Sequence, residues 1–363
     1  MSSRELRKRA GQFVFVGFPG TTVTAELRAL VREFDLGGVV LFKRNVEEPA
    51  QVAELAYELR GLSPTPLWVA VDQEGGRVAR LRHPFTEFPP VATLGRGADR
   101  TLVQRFAGAL ASELAAVGIT LDFAPVLDVG TNERNPAIGD RALSADAATT
   151  AEYGRLIIEA LQGAGIAACG KHFPGHGDTS ADSHHELPLL EHPPERFDAV
   201  EFVPFRAAVA ADVASLMVAH LLVPCFDEER PSSLSRTIVT GWLRDRLGFH
   251  GLVFTDDLEM QAITSRVRID VAAVQAIQAG CDIALICGTD HDQQAGAIEA
   301  IIRAGEQGEL TASTLDDARA RQRRAKRRFL DEPAPRPLTG HALSARIGTA
   351  EHAAVADAMA AFA

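Results

Sequence analysis

The sequence has few cysteines, and none of them follows a metal-binding or redox spacing. Only four occur in 363 residues, and no two of them form a Cys-x-x-Cys pair. A zinc site of the usual spacing or a disulfide framework is therefore not expected. Reduced and mostly buried thiols in a cytosolic protein fit this pattern best.

The sequence also lacks the long apolar run that a membrane span requires. Its N-terminus, "MSSRELRKRAGQFVFVGFPG", is basic, but its apolar stretch is short and no small-residue cleavage site follows. Such an N-terminus is not typical of a signal peptide. We therefore expect a cytoplasmic protein without a membrane partner.

An excess of positive charge is missing as well. Acidic residues outnumber basic ones by 48 to 37, giving a net charge of −11 and an isoelectric point near 5.5. Nucleic-acid binding usually needs a basic face, so no nucleic-acid partner is expected. With 46% hydrophobic residues, a mean hydropathy of +0.01 and no low-complexity tract, the chain is predicted to be globular.

Short apolar runs rich in valine and isoleucine alternate with longer amphipathic segments. The runs cover residues 13–18, 37–42, 67–72, 119–129, 165–172, 215–223, 251–257 and 281–287. They are apolar on both faces, which is typical of buried parallel strands. About eight βα units over roughly 300 residues predict a TIM-type (β/α)8 barrel, with a doubly wound open sheet as the structural alternative.

The barrel is expected to form one catalytic domain over residues 1–330. The last segment of that domain, "TLDDARARQRRAKRRFL", has the pattern of a basic amphipathic helix, and its charge run is typical of a solvated face. "DEPAPRPLTG" then interrupts the chain. Residues 331–363 are predicted to be a helical C-terminal tail, to which we assign no function.

Charged and imidazole side chains close several of the predicted strands. They are Asp72 after the third strand, Lys171 and His172 after the fifth, His220 near the end of the sixth, and Asp256 and Asp257 after the seventh. Barrel active sites lie at the C-terminal ends of the strands. Charged groups are costly to bury there unless they are paired or used, so their convergence predicts a site.

A histidine-rich loop, "KHFPGHGDTSADSHHELP" (171–188), follows the fifth strand. One interpretation is a metal site formed by His172, His176, His184 and Asp256, as in a metal-dependent barrel hydrolase. Two histidines four residues apart bind a metal well when they lie on a helix. Here a proline and a glycine separate them, so the sequence does not supply that geometry.

The motifs resemble those of glycoside hydrolase family 3. "DQEGGRVAR", "NPAIGDRAL", "KHFPGHG", "DSH", "LMVAHLLVP" and "FTDDLEM" occur in the order that the family shows, over roughly residues 11–305. Within the family they are most similar to the single-domain bacterial β-N-acetylglucosaminidases, also called β-hexosaminidases. The resemblance implies a retaining exo-acting glycosidase.

The resemblance also implies the catalytic groups. Asp256 is expected to be the nucleophile that forms a covalent glycosyl intermediate. His184 is expected to be the acid/base, paired with Asp182. Residues two apart in a turning loop can lie on the same side, so the carboxylate can fix the tautomer of the imidazole and favour its protonated form. Closure of the loop 173–186, with Gly175 and Gly177 as hinge positions, is a further hypothesis.

By the same resemblance, a second group of side chains should hold the hydroxyl and N-acetyl groups of a terminal GlcNAc. They are Asp72, Arg80, Arg141, Lys171 and His172. No cofactor and no metal are expected. The natural substrate implied is a GlcNAc-containing peptidoglycan fragment or a chitobiose-like glycan, processed by a monomer.

Several alternatives stay open from the residues. Within the family, the protein could be a β-N-acetylglucosaminide phosphorylase, since a histidine acid/base repels an approaching phosphate less than a carboxylate would. It could also be a β-glucosidase. Outside the family, the metal-dependent hydrolase and a non-catalytic sugar-binding protein are the competing classes.

Overall fold

Eight short parallel strands form the centre of the molecule. The computed structural model describes residues 3–330 and 334–363, and each predicted apolar run contains one strand. The strands are β1 (Val14–Val16), β2 (Gly38–Leu41), β3 (Trp68–Val71), β4 (Leu121–Asp122), β5 (Ala167–Phe173), β6 (Ser215–Val218), β7 (Leu252–Asp257) and β8 (Ile283–Ile286). Most of their residues are buried, as expected for strands covered on both faces.

The strands close into a barrel in chain order. β1 pairs in parallel with β8, where Val14 lies opposite Ala284, and also with β2, where Phe15 lies opposite Gly38. The predicted (β/α)8 barrel is therefore confirmed, and the open-sheet alternative is wrong. A small antiparallel hairpin (Gln73–Gly75 with Val78–Ala79) follows β3 on the same rim as the C-terminal ends of the strands.

The fourth strand is shorter than the run 119–129 predicts. Only Leu121–Asp122 is regular, because the following segment contains Pro125, which has no N–H for a strand ladder. The segment nevertheless stays beside β5, since its carbonyl oxygens accept from Cys169 N at 2.9 Å and Lys171 N at 3.1 Å. The prediction that this run belongs to the barrel is confirmed. The prediction of one continuous strand over 119–129 is wrong.

Helices cover the outside of the barrel. They are α1 (Ser3–Arg9), α2 (Ala25–Phe34), α3 (Pro49–Arg60), α4 (Ala92–Gly97), α5 (Arg100–Ala116), α6 (Ala147–Gly163), α7 (Pro194–Ala199), α8 (Phe202–Ala210), the π-helix Thr237–Arg246, α9 (Gln261–Thr264), α10 (Ile269–Ala279), α11 (His291–Glu306), α12 (Ala312–Phe329), α13 (Gly340–Ser344) and α14 (Ala350–Ala360). Inside the barrel, Phe254 packs edge-on against Phe15 at 5.0 Å and against Phe123 at 5.5 Å. These rings fill the interior, so the barrel is a packed core.

α12 closes the N-terminal end of the barrel. The ring of Phe329 packs 6.1 Å from that of Trp68, the first residue of β3, and Arg321 Nε donates to Asp282 Oδ1 at 2.8 Å just before β8. The functional cavity must therefore open at the opposite end.

The C-terminal tail is helical, as predicted. α14 is attached to the body by a hydrogen bond of 2.8 Å between His352 Nδ1 and Glu113 Oε1. Residues 331–333, part of the predicted break, lie outside the described residues, and the domain boundary at residue 331 stays a prediction. Over residues 3–330 and 334–363, no helix has the length and apolar character needed to cross a bilayer.

Candidate active site

A cavity of about 290 Å³ opens at the C-terminal ends of the strands. All eight residues predicted for the site line it, namely Asp72, Arg80, Arg141, Lys171, His172, Asp182, His184 and Asp256. They come from four separate parts of the barrel rim, so only closure of the barrel brings them together. Their individual roles stay predictions.

The floor of the cavity is a buried ion network. Lys171 Nζ donates to Asp72 Oδ1 at 2.7 Å and lies 2.6 Å from Glu74 Oε1. Arg141 binds Glu74 through two parallel hydrogen bonds of 2.8 Å, and Arg80 reaches the other oxygen of Asp72 at 3.2 Å. The Lys171 and Glu74 side chains are each only 2% exposed. Such a network is stable only because every charge has a geometrically matched partner.

The network fixes the charge of each member. Burial disfavours ionisation of Asp72, but the Lys171 and Arg80 cations outweigh it and hold the pKa of Asp72 below its ordinary value. Arg141 and Lys171 likewise hold the pKa of Glu74 far below its usual range against the effect of burial. Burial opposes protonation of Lys171, yet Asp72 and Glu74 raise its pKa. The floor is therefore fully ionised at neutral pH.

His172 is oriented by a buried carboxylate. Its Nδ1 lies 2.7 Å from Asp128 Oδ2, and Asp128 has no solvent-exposed surface. Because this carboxylate is ionised, with the neighbouring histidines holding its pKa low despite burial, Nδ1 carries the proton. Nε2 then faces the cavity, 3.4 Å from Arg141 Nη2.

Asp256 is the penultimate residue of β7 and lies beside a buried histidine. Burial disfavours its ionisation, but His220 and His172 lower its pKa overall, so the group is a carboxylate at neutral pH. His220 Nε2 lies 3.0 Å from the carbonyl oxygen of Asp257, and its Nδ1 lies 2.6 Å from Ser233 Oγ. A carbonyl only accepts, so Nε2 donates to it, and Nδ1 shares a second hydrogen bond with the Ser233 hydroxyl. The chain Ser233–His220 thus fixes the backbone that carries Asp256.

The neighbouring Asp257 differs from Asp256. Burial and the Glu259 carboxylate raise the pKa of Asp257 to about 7. Its Oδ1 accepts from the backbone N–H groups of Glu259 at 3.1 Å and Cys287 at 3.2 Å. Asp256 is thus the ionised member of the pair, whereas Asp257 accepts hydrogen bonds that hold the following turn.

Asp182 and His184 form a pair on the histidine-rich loop. His184 Nδ1 lies 2.7 Å from Asp182 Oδ1, which also accepts from the backbone N–H of His184 at 2.9 Å. The His184 side chain is 65% exposed, in contrast to 23% for Asp182. Burial of Asp182 raises its pKa, but the hydrogen bonds and charge of His184 lower it overall. The predicted pairing two residues apart in the chain is present.

The first half of this loop is tightly anchored. Asp128 Oδ1 accepts from His176 N at 2.6 Å, and Asn135 Nδ2 donates to His176 O at 2.7 Å. A Cβ on Gly177 would lie 1.8 Å from Val129 O, so close packing against Val129 requires a glycine here. The hinge role of this glycine stays a prediction. Burial lowers the pKa of His176 to about 4, leaving it neutral. Movement of the loop stays a prediction.

The metal interpretation loses support from this geometry. His172 Nδ1 is committed to Asp128, and His176 Nδ1 lies 2.6 Å from the Thr179 hydroxyl. Within the described part of the chain, no three His, Cys, Asp or Glu side chains are arranged to hold a metal ion. The expected independence from metals stays a prediction.

Sequence reasoning missed Glu74 and Asp128 and left His220 without a role. Glu74 lies in the quoted "DQEGG" segment and Asp128 at the end of the fourth apolar run, so both were in view at strand ends. The signal that could have identified them is charge balance. Lys171, Arg141 and His172 are three cationic or imidazole groups, and burying them requires more carboxylates than Asp72 alone.

A buried carboxylate and an imidazole–carboxylate pair thus share a cavity lined with charged groups suited to sugar hydroxyls. This arrangement is typical of barrel enzymes that cleave glycosides. The glycosyl hydrolase family 3 N-terminal domain matches residues 5–325. The chain therefore belongs to glycosyl hydrolase family 3, and both the predicted family and the predicted glycosidase class are confirmed.

Relatives share this family membership. A β-hexosaminidase of Nitrosomonas eutropha is 40% identical over 274 residues, covering 74% of this chain and 78% of the relative. A family 3 β-N-acetylglucosaminidase from Paenibacillus sp. FPU-7 superposes with a TM-score of 0.94 at 38% identity, covering 98% of this chain and 68% of the other. NagZ from Neisseria gonorrhoeae, solved with N-trifluoroacetyl-D-glucosamine, has a TM-score of 0.79 at 28% identity, covering 96% and 97%.

Proposed function

We propose that this protein is a retaining, exo-acting β-N-acetylglucosaminidase. The observation that carries the proposal is the placement of the Asp256 carboxylate and the Asp182–His184 pair around one cavity with a charged floor. The names of the relatives support the same activity, since one is a β-hexosaminidase and another a β-N-acetylglucosaminidase.

In the first step, the Asp256 carboxylate attacks the anomeric carbon while protonated His184 donates its proton to the departing glycosidic oxygen. The C–O bond to the aglycone breaks, and a glycosyl ester of Asp256 forms. In the second step, neutral His184 accepts a proton from water, whose oxygen attacks the same carbon and releases Asp256. Asp182 holds the imidazole in one tautomer and stabilises its cationic form.

The floor residues orient the sugar. Four side chains each present a donor or acceptor to the cavity while they are also hydrogen-bonded to neighbouring side chains. They are Asp72, Arg141, Lys171 and His172. Such preorganised groups can bind vicinal hydroxyls without rearrangement. The closed floor favours a terminal sugar over an internal one. An N-acyl glucosamine bound to the NagZ relative supports GlcNAc as that sugar.

The test is hydrolysis of 4-nitrophenyl glycosides. Release of nitrophenol from the β-GlcNAc substrate, at a kcat/KM well above that of the β-glucoside, is expected, with the β-anomer of GlcNAc as first product by NMR. Release of the α-anomer first, or preference for the glucoside, would contradict the proposal. GlcNAc 1-phosphate as the main product in millimolar phosphate would instead identify a phosphorylase, and the absence of any turnover a binding protein.

We further propose that the protein acts as a cytoplasmic monomer on GlcNAc-containing peptidoglycan fragments. The family resemblance supports this context. Light scattering after gel filtration tests the oligomeric state, and digestion of purified muropeptides followed by mass spectrometry tests the substrate. A chain mass of 38.9 kDa is expected for the monomer, and release of GlcNAc is expected from the muropeptides.

A further inference from the structure

The basic face of α12 borders a recess at the end of the barrel opposite the active site. This recess, about 200 Å³ in volume, lies between α12, the segment before β1 and the turn before β3. We call it the basic recess, and its described lining residues include five cations and no carboxylate. The cations are Arg9, Arg319, Arg323, Lys326 and Arg327. Such a concentration is unexpected in a chain with a net charge of −11.

Two of these cations have no partner among the described residues. Arg323 and Arg327 make no hydrogen bond or ion pair within residues 3–330 and 334–363, whereas Arg319 pairs with Glu5 at 2.9 Å and the charge of Arg9 helps to lower the pKa of Glu5. Both are exposed at the rim of the recess. Their guanidinium groups are therefore available to an anion from solvent.

Lys326 is the unusual member. It is only 8% exposed, and its Nζ donates to Gln12 Oε1 at 2.7 Å, leaving two further donors of the ammonium without an acceptor among the described residues. Burial lowers its pKa to about 7, and Asp35 is the carboxylate that opposes this shift. The Asp35 carboxylate itself accepts from the Ser63 and Thr65 hydroxyls rather than from Lys326.

A purely structural role explains this arrangement poorly. Basic residues in the last turn of a helix gain about 0.3–1 kcal/mol from the helix dipole, and they gain it while exposed. Burying an ammonium group without a carboxylate costs several kcal/mol. The dipole therefore accounts for exposed Arg327 in the last turn of α12. It accounts neither for Arg323 nor for the burial of Lys326 inside the recess, where an anionic ligand would supply a counter-charge.

We propose that the basic recess is a binding site for a small phosphate-bearing anion. Guanidinium groups bind phosphate oxygens in pairs, and a buried ammonium adds a point charge beneath them. The recess has no aromatic lining residue to stack a nucleobase. Its volume suits inorganic phosphate or a small phosphate monoester. The site lies on the N-terminal side of the barrel and is separate from the sugar cavity.

Isothermal titration of the full-length protein with inorganic phosphate tests the proposal, at an ionic strength held constant with chloride. The variants are Lys326→Met and the double variant Arg323→Gln/Arg327→Gln. The two arginines of the double variant are exposed, so their substitution should not disturb folding. Arg105→Gln, an exposed arginine on α5, is the matched control. Glucose 6-phosphate is the second ligand and distinguishes a monoester from free phosphate.

Wild type and Arg105→Gln should bind with the same affinity, and both recess variants should bind about tenfold more weakly or worse. Phosphate itself titrates near pH 7, so the proton balance is compared between proteins by measuring the binding heat in buffers of different ionisation enthalpy. Because the anion favours charged Lys326, wild type should take up more protons on binding, or release fewer, than Lys326→Met. Binding that both recess variants retain, or no binding of either ligand, would overturn the proposal.

Discussion

The floor of the active site and the loop that covers it are built in opposite ways. The floor groups Asp72, Glu74 and Lys171 are held at 2.6–2.7 Å by partners from three different strands or turns, and Lys171 and Glu74 are almost completely buried. His184 is 65% exposed, and its hydrogen-bond partner lies two residues away on the same loop. One region depends on the whole barrel and the other on a local turn.

This difference separates two tasks of the site. In a buried network, charges interact strongly and their positions are fixed by folding, so the sugar meets groups that are already oriented. An exposed pair on a loop can approach and leave the substrate without disturbing the barrel. Substitutions in the floor should therefore change stability and binding together, whereas those in the loop should change proton transfer alone.

Asp256→Ala should produce the largest effect, because it removes the nucleophile of the proposed mechanism. We expect kcat to fall by about 10⁴-fold or more on aryl β-GlcNAc substrates with both good and poor leaving groups. Azide should partly restore turnover of the good leaving group by entering the space of the missing carboxylate. A loss of less than tenfold would contradict the assignment of Asp256.

Glu74→Gln tests the floor. It leaves Arg141 and Lys171 short of a buried counter-charge, so we expect a loss of about 3 kcal/mol or more in the free energy of unfolding, measured with urea. Glu87→Gln is the matched control, because the Arg82–Glu87 pair of 2.9 Å is exposed. If both variants lose the same stability, the buried network does not hold the floor together.

His184→Ala tests the loop. We expect kcat/KM for a poor leaving group such as 4-methoxyphenol to fall by about 10²-fold or more, since its oxygen needs a proton. Cleavage of the bond to dinitrophenol should change little, and the urea stability should stay that of wild type. Equal losses of kcat/KM on both leaving groups would contradict the role of His184 as an acid. A loss of urea stability would contradict the view that the Asp182–His184 pair depends only on the local turn.

Asp257→Asn comes last because its effect is seen in how stability depends on pH. The folded-state pKa of Asp257 is raised to about 7, whereas an unfolded aspartate releases its proton near pH 3.9. Between these values the unfolded chain binds fewer protons, so stability falls as pH rises and levels off above pH 7. The asparagine variant should lack this component, seen as a flatter dependence of Tm between pH 5 and 8. An unchanged slope would contradict it.

The sequence predicted the eight strands of the barrel, and all eight residues that it singled out for the site line one cavity. Apolar runs of valine and isoleucine identified every strand of the barrel, since strands buried on both faces need no alternating pattern. β4 was overextended because an apolar run does not show where Pro125 interrupts the hydrogen bonds. Asp128 was missed because it lies beyond that interruption, in a segment whose direction the pattern does not fix.

The sequence by itself determined the order of the strands, the position of polar groups at their ends and the local pair of Asp182 and His184, because these depend on neighbours in the chain. Only the tertiary structure decided that Glu74 balances both Arg141 and Lys171, and that Lys326 is buried in a recess whose described lining has no carboxylate. Charge pairing between distant segments depends on barrel closure and on the dielectric environment it creates, and neither is written in any local stretch of residues.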